Sequence, residues 1–129
     1  MTGRSALLTG SLFAGLAVVL GAFGAHALKD MLASSGRTDT YELAVRYQFY
    51  HAFALLVAGL LNTKFALKHF NYAATCFSIG IVFFCGSLYI LCFSGIKFLG
   101  AITPIGGLFF IAGWIFNFFG ILTSARLEK

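Results

Sequence analysis

Seven side chains could do chemistry inside otherwise apolar stretches of this chain: His26, Tyr47, Gln48, His51, Ser87, Tyr89 and Thr103. Imidazole gains or loses a proton near neutral pH, and ionisable groups within a membrane are candidates for binding or proton transfer. The set reads in more than one way. It can be a clasp that fixes helix register, each imidazole bonding a tyrosine, a glutamine or a backbone carbonyl. It can also be a small polar pocket that binds a ligand or passes a proton, or a surface that meets a partner.

Other chemistry finds less support. His26, His51 and Cys92 have neither metal-type spacing nor a carboxylate beside them, so no metal is expected. No Ser-His-Asp set, phosphate-cradling glycine loop or intramembrane carboxylate pair can be assembled. The chain therefore reads as a non-enzyme without a cofactor. Cys76, Cys85 and Cys92 fall on one helix, where no two can reach disulfide geometry, and are expected to be reduced, buried small residues.

The elements that position these groups follow from composition. Of the 129 residues 60% are apolar and 10% charged, against roughly 25% charged in soluble domains, which leaves too little polar surface to face water all round. The net charge of +5 is spread over the ends of apolar runs, a pattern for lipid head groups and topology and not for nucleic acid. Runs without a fixed charge, the second of them entered through an amphipathic stretch that holds Arg46, predict spans at about 6–28, 43–62, 72–93 and 102–122, since about 20 helical residues cross the hydrocarbon core. The expected fold is all-α: a single polytopic membrane domain, 1–129, with four transmembrane helices in an antiparallel bundle. Ala25-His26-Ala27 has the form of a signal cleavage site, but the first run exceeds the roughly 7–15 residues of a signal core. It reads as a retained span.

Small residues mark where helices would touch. Ala17, Gly21 and Ala25 repeat every four residues, and Gly106, Gly113 and Gly120 every seven, with Gly59 and Gly80 on the middle spans. Such stripes let backbones approach. In the second span Gln48, Ala52, Gly59 and Asn62 share a narrow arc with His51 at its edge, and Glu42 can pair with Arg46 one turn on. Residues 29–40 read as a water-exposed connection. Tyr41, Tyr47 and Tyr50 read as head-group rings, Pro104 as a first-turn proline of the last span, and Trp114 as a mid-span ring that packs inside or against lipid.

Four spans put both termini on one side with Arg4, Lys64, Lys68, Arg126 and Lys129, against Lys29, Arg37, Arg46 and Lys97 on the other. That small excess favours cytoplasmic termini, with a bacterial cytoplasmic (inner) membrane as the expected location. The seven polar residues then lie at similar depth near the face opposite the termini.

Four motifs in order carry a resemblance: Gly21-Ala22-Phe23-Gly24-Ala25-His26-Ala27-Leu28; Tyr41 followed by Arg46-Tyr47-Gln48-Phe49-Tyr50-His51-Ala52; Phe84-Cys85-Gly86-Ser87-Leu88-Tyr89; and Ile102-Thr103-Pro104-Ile105-Gly106-Gly107. Together they resemble the membrane family known as domain of unknown function 423, whose animal relatives are called transmembrane protein 256, over about 10–120. The resemblance implies an integral membrane protein with several helical spans and family-typical residues at His26, Gln48, His51, Ser87, Tyr89, Thr103 and Pro104. It implies no catalytic role. The expected function is that of a structural or accessory protein packing with membrane lipids, with other membrane proteins or with copies of itself. The alternative is a small transporter or channel component using the polar cluster.

Overall fold

The computed structural model describes residues 1–127; Lys129, counted above with the bases of the terminal side, lies outside the described residues. Five helices follow one another: α1 (Gly3–Ala25), α2 (Lys29–Ser34), α3 (Thr38–Phe65), α4 (Lys68–Ser94) and α5 (Leu99–Leu127). All but α2 are long and apolar enough to cross a membrane. They are the four antiparallel spans of an all-α membrane protein.

Each start and stop has a local cause. Thr2 caps α1 by accepting from the Ser5 N–H at 3.2 Å, which starts the first span three residues before the sequence reading placed it. α3 ends where Ala66 turns left-handed (φ 51°), and only Ala66 and Leu67 separate it from α4. Gly95, at φ 74°, ends α4 in the conformation that glycine adopts without a Cβ penalty. Because α5 begins at Leu99, Pro104 lies in its second turn and not its first. Its missing N–H deprives the Gly100 carbonyl of its helical partner.

The connection 29–40 is not simply exposed to water. α2 folds back so that Leu32 is buried against Tyr41 and Cys92. Tyr41 is buried too, its hydroxyl donating to the Leu20 carbonyl at 2.6 Å, so this ring fastens α3 to α1 instead of marking the head-group level. Arg37 reaches the end of α4, where its Nη1 donates to the Cys92 carbonyl at 3.3 Å. A cation there offsets the partial negative charge of a helix C-terminus.

The packing is a row in sequence order. α1 lies along α3, α3 along α4 and α4 along α5; α3 and α5 touch only slightly, and α1 and α5 do not form a packed pair. In lipid, apolar burial gives helices little drive to associate, so close fit must supply it. Phe70, Phe77 and Phe84 recur every seven residues on α4 and face Gly120, Gly113 and Gly106, which recur every seven on α5 in the opposite direction. A Cβ added at Gly113 would come within 2.6 Å of the Phe77 ring, and one at Gly120 within 2.7 Å of Phe70. At Gly106 it would run into the backbone of Phe84 itself. Gly80 reverses the roles by receiving Phe110 of α5. A seven-residue repeat is the geometry of left-handed knobs-into-holes packing.

The α1–α3 seam uses the same device. Gly3, Gly10, Ala17 and Gly24 are seven apart; a Cβ at Gly10 would meet Leu56 at 2.9 Å, and one at Gly59 would meet Ala6 at 3.0 Å. Here the four-residue stripe needs correcting. Four residues overshoot one turn by about 40°, so the stripe leaves the contact as it advances: Ala17 is buried, Gly21 half-buried and Ala25 exposed. Gly24 takes the place expected of Ala25, against the ring of Tyr41.

Candidate functional site

The polar residues form three separate hydrogen-bonded groups, not one pocket. Gln48 is 3% exposed at the centre of the first. Its Nε2 donates to the Phe13 carbonyl at 2.9 Å, and its Oε1 accepts from the Tyr89 hydroxyl at 2.8 Å. One amide thus ties α1, α3 and α4 together. The Tyr89 ring meets that of Tyr41 edge to face at 5.4 Å.

Ser87 and Thr103 form the second group. Their hydroxyls are 2.8 Å apart across α4 and α5, and each also lies within bonding distance of a carbonyl of its own helix, Ser87 of Phe84 and Thr103 of Leu99; with one hydrogen apiece, one hydroxyl donates across the pair while the other donates backward. They continue the Phe–Gly ladder by one polar rung. Just before them α4 loosens into a π-helical turn over Ile81–Cys85, at the place where Phe84 lies on Gly106.

His51 centres the third group. Its Nδ1 is 2.7 Å from the Tyr47 carbonyl, which can only accept, so Nδ1 carries the hydrogen. Its Nε2 accepts from the Trp114 indole N–H at 3.2 Å. The imidazole stacks on Phe110 with centroids 3.5 Å apart, and Tyr47 stacks on Phe84 at 4.8 Å. Both ring nitrogens of His51 are therefore engaged inside the chain.

His26 belongs to none of these groups. It is exposed at the C-terminus of α1, where its backbone N–H caps the helix by bonding the Ala22 and Phe23 carbonyls. Its side chain shares an outer surface with Val18, Val19 and Phe23, away from Gln48 and His51. The expectation that it walls the cluster is corrected: α1 ends at Ala25, and the turn swings His26 off the packed face. Glu42 and Arg46, expected to pair, are both exposed without an ion pair between them among the described residues. On the terminal side the Asn62 and Asn71 side chains meet at 2.6 Å.

Trp114 is the partner that the sequence reading did not assign to His51. The available signal was the indole N–H itself, since a donor at mid-span needs an acceptor where water is absent. Among the described residues, no three His, Cys, Asp or Glu side chains converge where they could hold a metal ion. All three cysteines are free thiols, Cys85 and Cys92 buried and Cys76 half-buried.

Where α3 and α5 diverge, a cleft of about 670 Å³ opens on the outer face. Phe84, Phe110 and His51 wall it within, Trp114 and Gly107 line the α5 side, and Tyr47 and Tyr50 the α3 side. Its size falls within the roughly 300–1,000 Å³ of small-molecule sites. Trp114 is 49% exposed there.

Comparison with known proteins agrees with this architecture. The family of proteins of unknown function DUF423 matches residues 20–107. The UPF0382 membrane protein SH2409 of Staphylococcus haemolyticus is 45% identical over 109 residues, covering 84% of this chain and 88% of that protein. The UPF0382 membrane protein YwdK of Bacillus subtilis is 42% identical over 110 residues, covering 84% and 89%. No solved structure matches. The family match takes in Gln48, His51, Ser87, Tyr89 and Thr103 and stops short of Trp114.

Proposed function

Because the chain belongs to the DUF423 family, an uncharacterised family of membrane proteins with no named enzymatic activity, we propose that this integral membrane protein is a structural or accessory component. It packs against membrane lipids and against other membrane proteins or copies of itself. One observation carries the reading: Gln48, His51, Ser87, Tyr89 and Thr103 spend bonding capacity on one another, on Trp114 and on backbone carbonyls. Gln48 joins Tyr89 and Phe13, Ser87 joins Thr103, and His51 joins Trp114 and Tyr47. Three hydrogen-bonded groups on different sets of helices offer a permeating ion or proton no continuous path. The exposed apolar faces of α1 and α5, by contrast, are surfaces for lipid or for neighbouring spans.

The membrane is a bacterial cytoplasmic (inner) membrane with both termini in the cytoplasm, in keeping with the Lys and Arg bias of the loops. Capture of the full chain from native membranes in mild detergent, followed by mass spectrometry, tests the function. A reproducible lipid or membrane-protein partner supports it; a monomer free of both overturns it.

A further inference from the structure

We propose that the groove between α1, α2 and α3 holds the head group of one phosphatidylethanolamine, with the phosphate at Arg46, the ammonium at Glu42 and an acyl chain along Phe49 and Phe53. This rests on the accessory reading above and names the lipid for it.

The groove is a hollow of about 180 Å³ at the end of the bundle opposite the termini. Gly21, Gly24 and Ala25 keep its α1 wall low, and Thr38, Glu42 and Arg46 line it on α3. It is smaller than the roughly 300–1,000 Å³ of a site that encloses a whole small molecule, so it suits a head group whose tails stay outside.

Charge spacing fixes the level of the site. Arg46 and Lys64 are the cations on α3, and the 18 residues between their positions rise about 27 Å at 1.5 Å each. That is close to the roughly 30 Å of a hydrocarbon core. Arg46 therefore stands at the border on the side opposite the termini, and Glu42 lies one turn, about 6 Å, further toward water. At roughly 100° per residue Glu42, Arg46, Phe49, Phe53 and Val57 share an arc of about 80°. All but the half-buried Phe49 are exposed, and the Phe49 and Phe53 rings lie 5.1 Å apart. From Arg46 to Val57 the stripe descends about 16 Å, one leaflet deep.

Read from water inward, that stripe is an acid, a base and then apolar side chains. A phosphatidylethanolamine read the same way is an ammonium, a phosphate and then acyl chains, so each part meets its complement in register. Neither Glu42 nor Arg46 has an ion pair among the described residues, which leaves both charges to an outside partner. The guanidinium suits the phosphate oxygens, and the carboxylate accepts from the ammonium. Other head groups fit less well. The quaternary ammonium of phosphatidylcholine has no N–H for a carboxylate and is held instead by aromatic faces, and the aromatic of this groove, Tyr41, is 1% exposed with its hydroxyl committed to Leu20. Phosphatidylglycerol brings a phosphate for Arg46 but no cation for Glu42, which then repels it.

Native mass spectrometry of the full chain in mild detergent counts the lipids it retains. The chain is titrated separately with phosphatidylethanolamine, phosphatidylcholine and phosphatidylglycerol of identical acyl chains. The expected result is one retained phosphatidylethanolamine per chain, half-saturating at about fivefold lower concentration than either other lipid, the preference one interfacial charge gives. Glu42→Gln should remove that lead and put phosphatidylglycerol first, because Arg46 then acts alone. Ala25→Leu, at the exposed rim of the groove, should fill the hollow and weaken retention of phosphatidylethanolamine. Helix content by circular dichroism shows that the variants fold, and where one does not, the three lipids on the unaltered chain decide. Equal retention of the three, a lead for phosphatidylglycerol or phosphatidylcholine on the unaltered chain, or an order unmoved by Glu42→Gln in a folded chain would each overturn the site. If the site falls while detergent capture still recovers a membrane-protein partner, the accessory reading stands without it.

Discussion

The Trp114 indole N–H and the bare Nε2 of His51 meet at 3.2 Å between α3 and α5, beside the stack of His51 on Phe110 that joins the same two spans. This bond bridges the inner end of the cleft. Trp114→Phe removes the donor but keeps an aromatic ring near Phe77, so its cost isolates the bond. Hydrogen bonds between transmembrane helices average about 0.6 kcal/mol and reach about 1.7 kcal/mol. The expected loss is about 0.5–1.5 kcal/mol in reversible unfolding from bicelles. In a double-mutant cycle with His51→Leu, most of that loss should appear as coupling; strict additivity would mean that the two side chains act independently.

Gln48 serves two neighbours, so its loss should exceed that of either neighbour alone. Tyr89→Phe leaves one amide acceptor unused, at an expected cost of about 1 kcal/mol. Gln48→Leu strands the Tyr89 hydroxyl in a buried site and also cuts the tie to Phe13, for which about 2–3 kcal/mol is expected. Unfolding midpoints of the two variants check the order. A smaller effect for Gln48→Leu than for Tyr89→Phe would remove the amide from its central role.

Two adjacent glycines should respond in opposite ways. In Gly106→Ala the new methyl meets the Phe84 backbone, which cannot swing aside as a side-chain tip would, and a loss of about 1–3 kcal/mol or more is expected. Gly107→Ala adds a methyl with its nearest neighbour 3.9 Å away. There the better helix propensity of alanine, up to about 1 kcal/mol, should leave stability equal or slightly raised. Thermal unfolding of the two side by side decides it, and equal losses would contradict the ladder.

Separate hydrogen-bonded groups also carry an expectation for transport. Proton and small-solute leak from vesicles holding the chain should equal that from empty vesicles, with His51→Ala no different. A leak that depends on the protein and falls in His51→Ala would favour the transporter reading over the accessory one.

Much of the fold was legible because it rests on regular signals. Uncharged runs locate the four spans, and the seven-residue glycine repeat of 106, 113 and 120 lies along α5 where it meets α4. What was not legible depends on a few degrees of helix rotation or a few residues of helix length. Ala25 and His26 lost their expected places because α1 stops at Ala25 and a four-residue stripe drifts off the contact. Pro104 moved from first to second turn because α5 begins at Leu99. The polar residues were recognisable one by one, but their pairing was not: at equal depth Gln48 could have met Ser87 as readily as Tyr89. Only the side of each helix on which a neighbour lies decides that. Arg37 shows the same limit, since its partner on Cys92 is 55 residues away.

The packing of spans in sequence order bears on how the protein is made. Every extensive contact joins a span to the one inserted just before or just after it, so none must wait for a distant partner to arrive. Once the second span enters the bilayer, the Gly3–Gly24 seam can close; the third adds the Gln48–Tyr89 bond, and the fourth drops its glycines onto phenylalanines already in place. Assembly can therefore keep pace with synthesis, and a chain halted after its second span would already hold a finished interface.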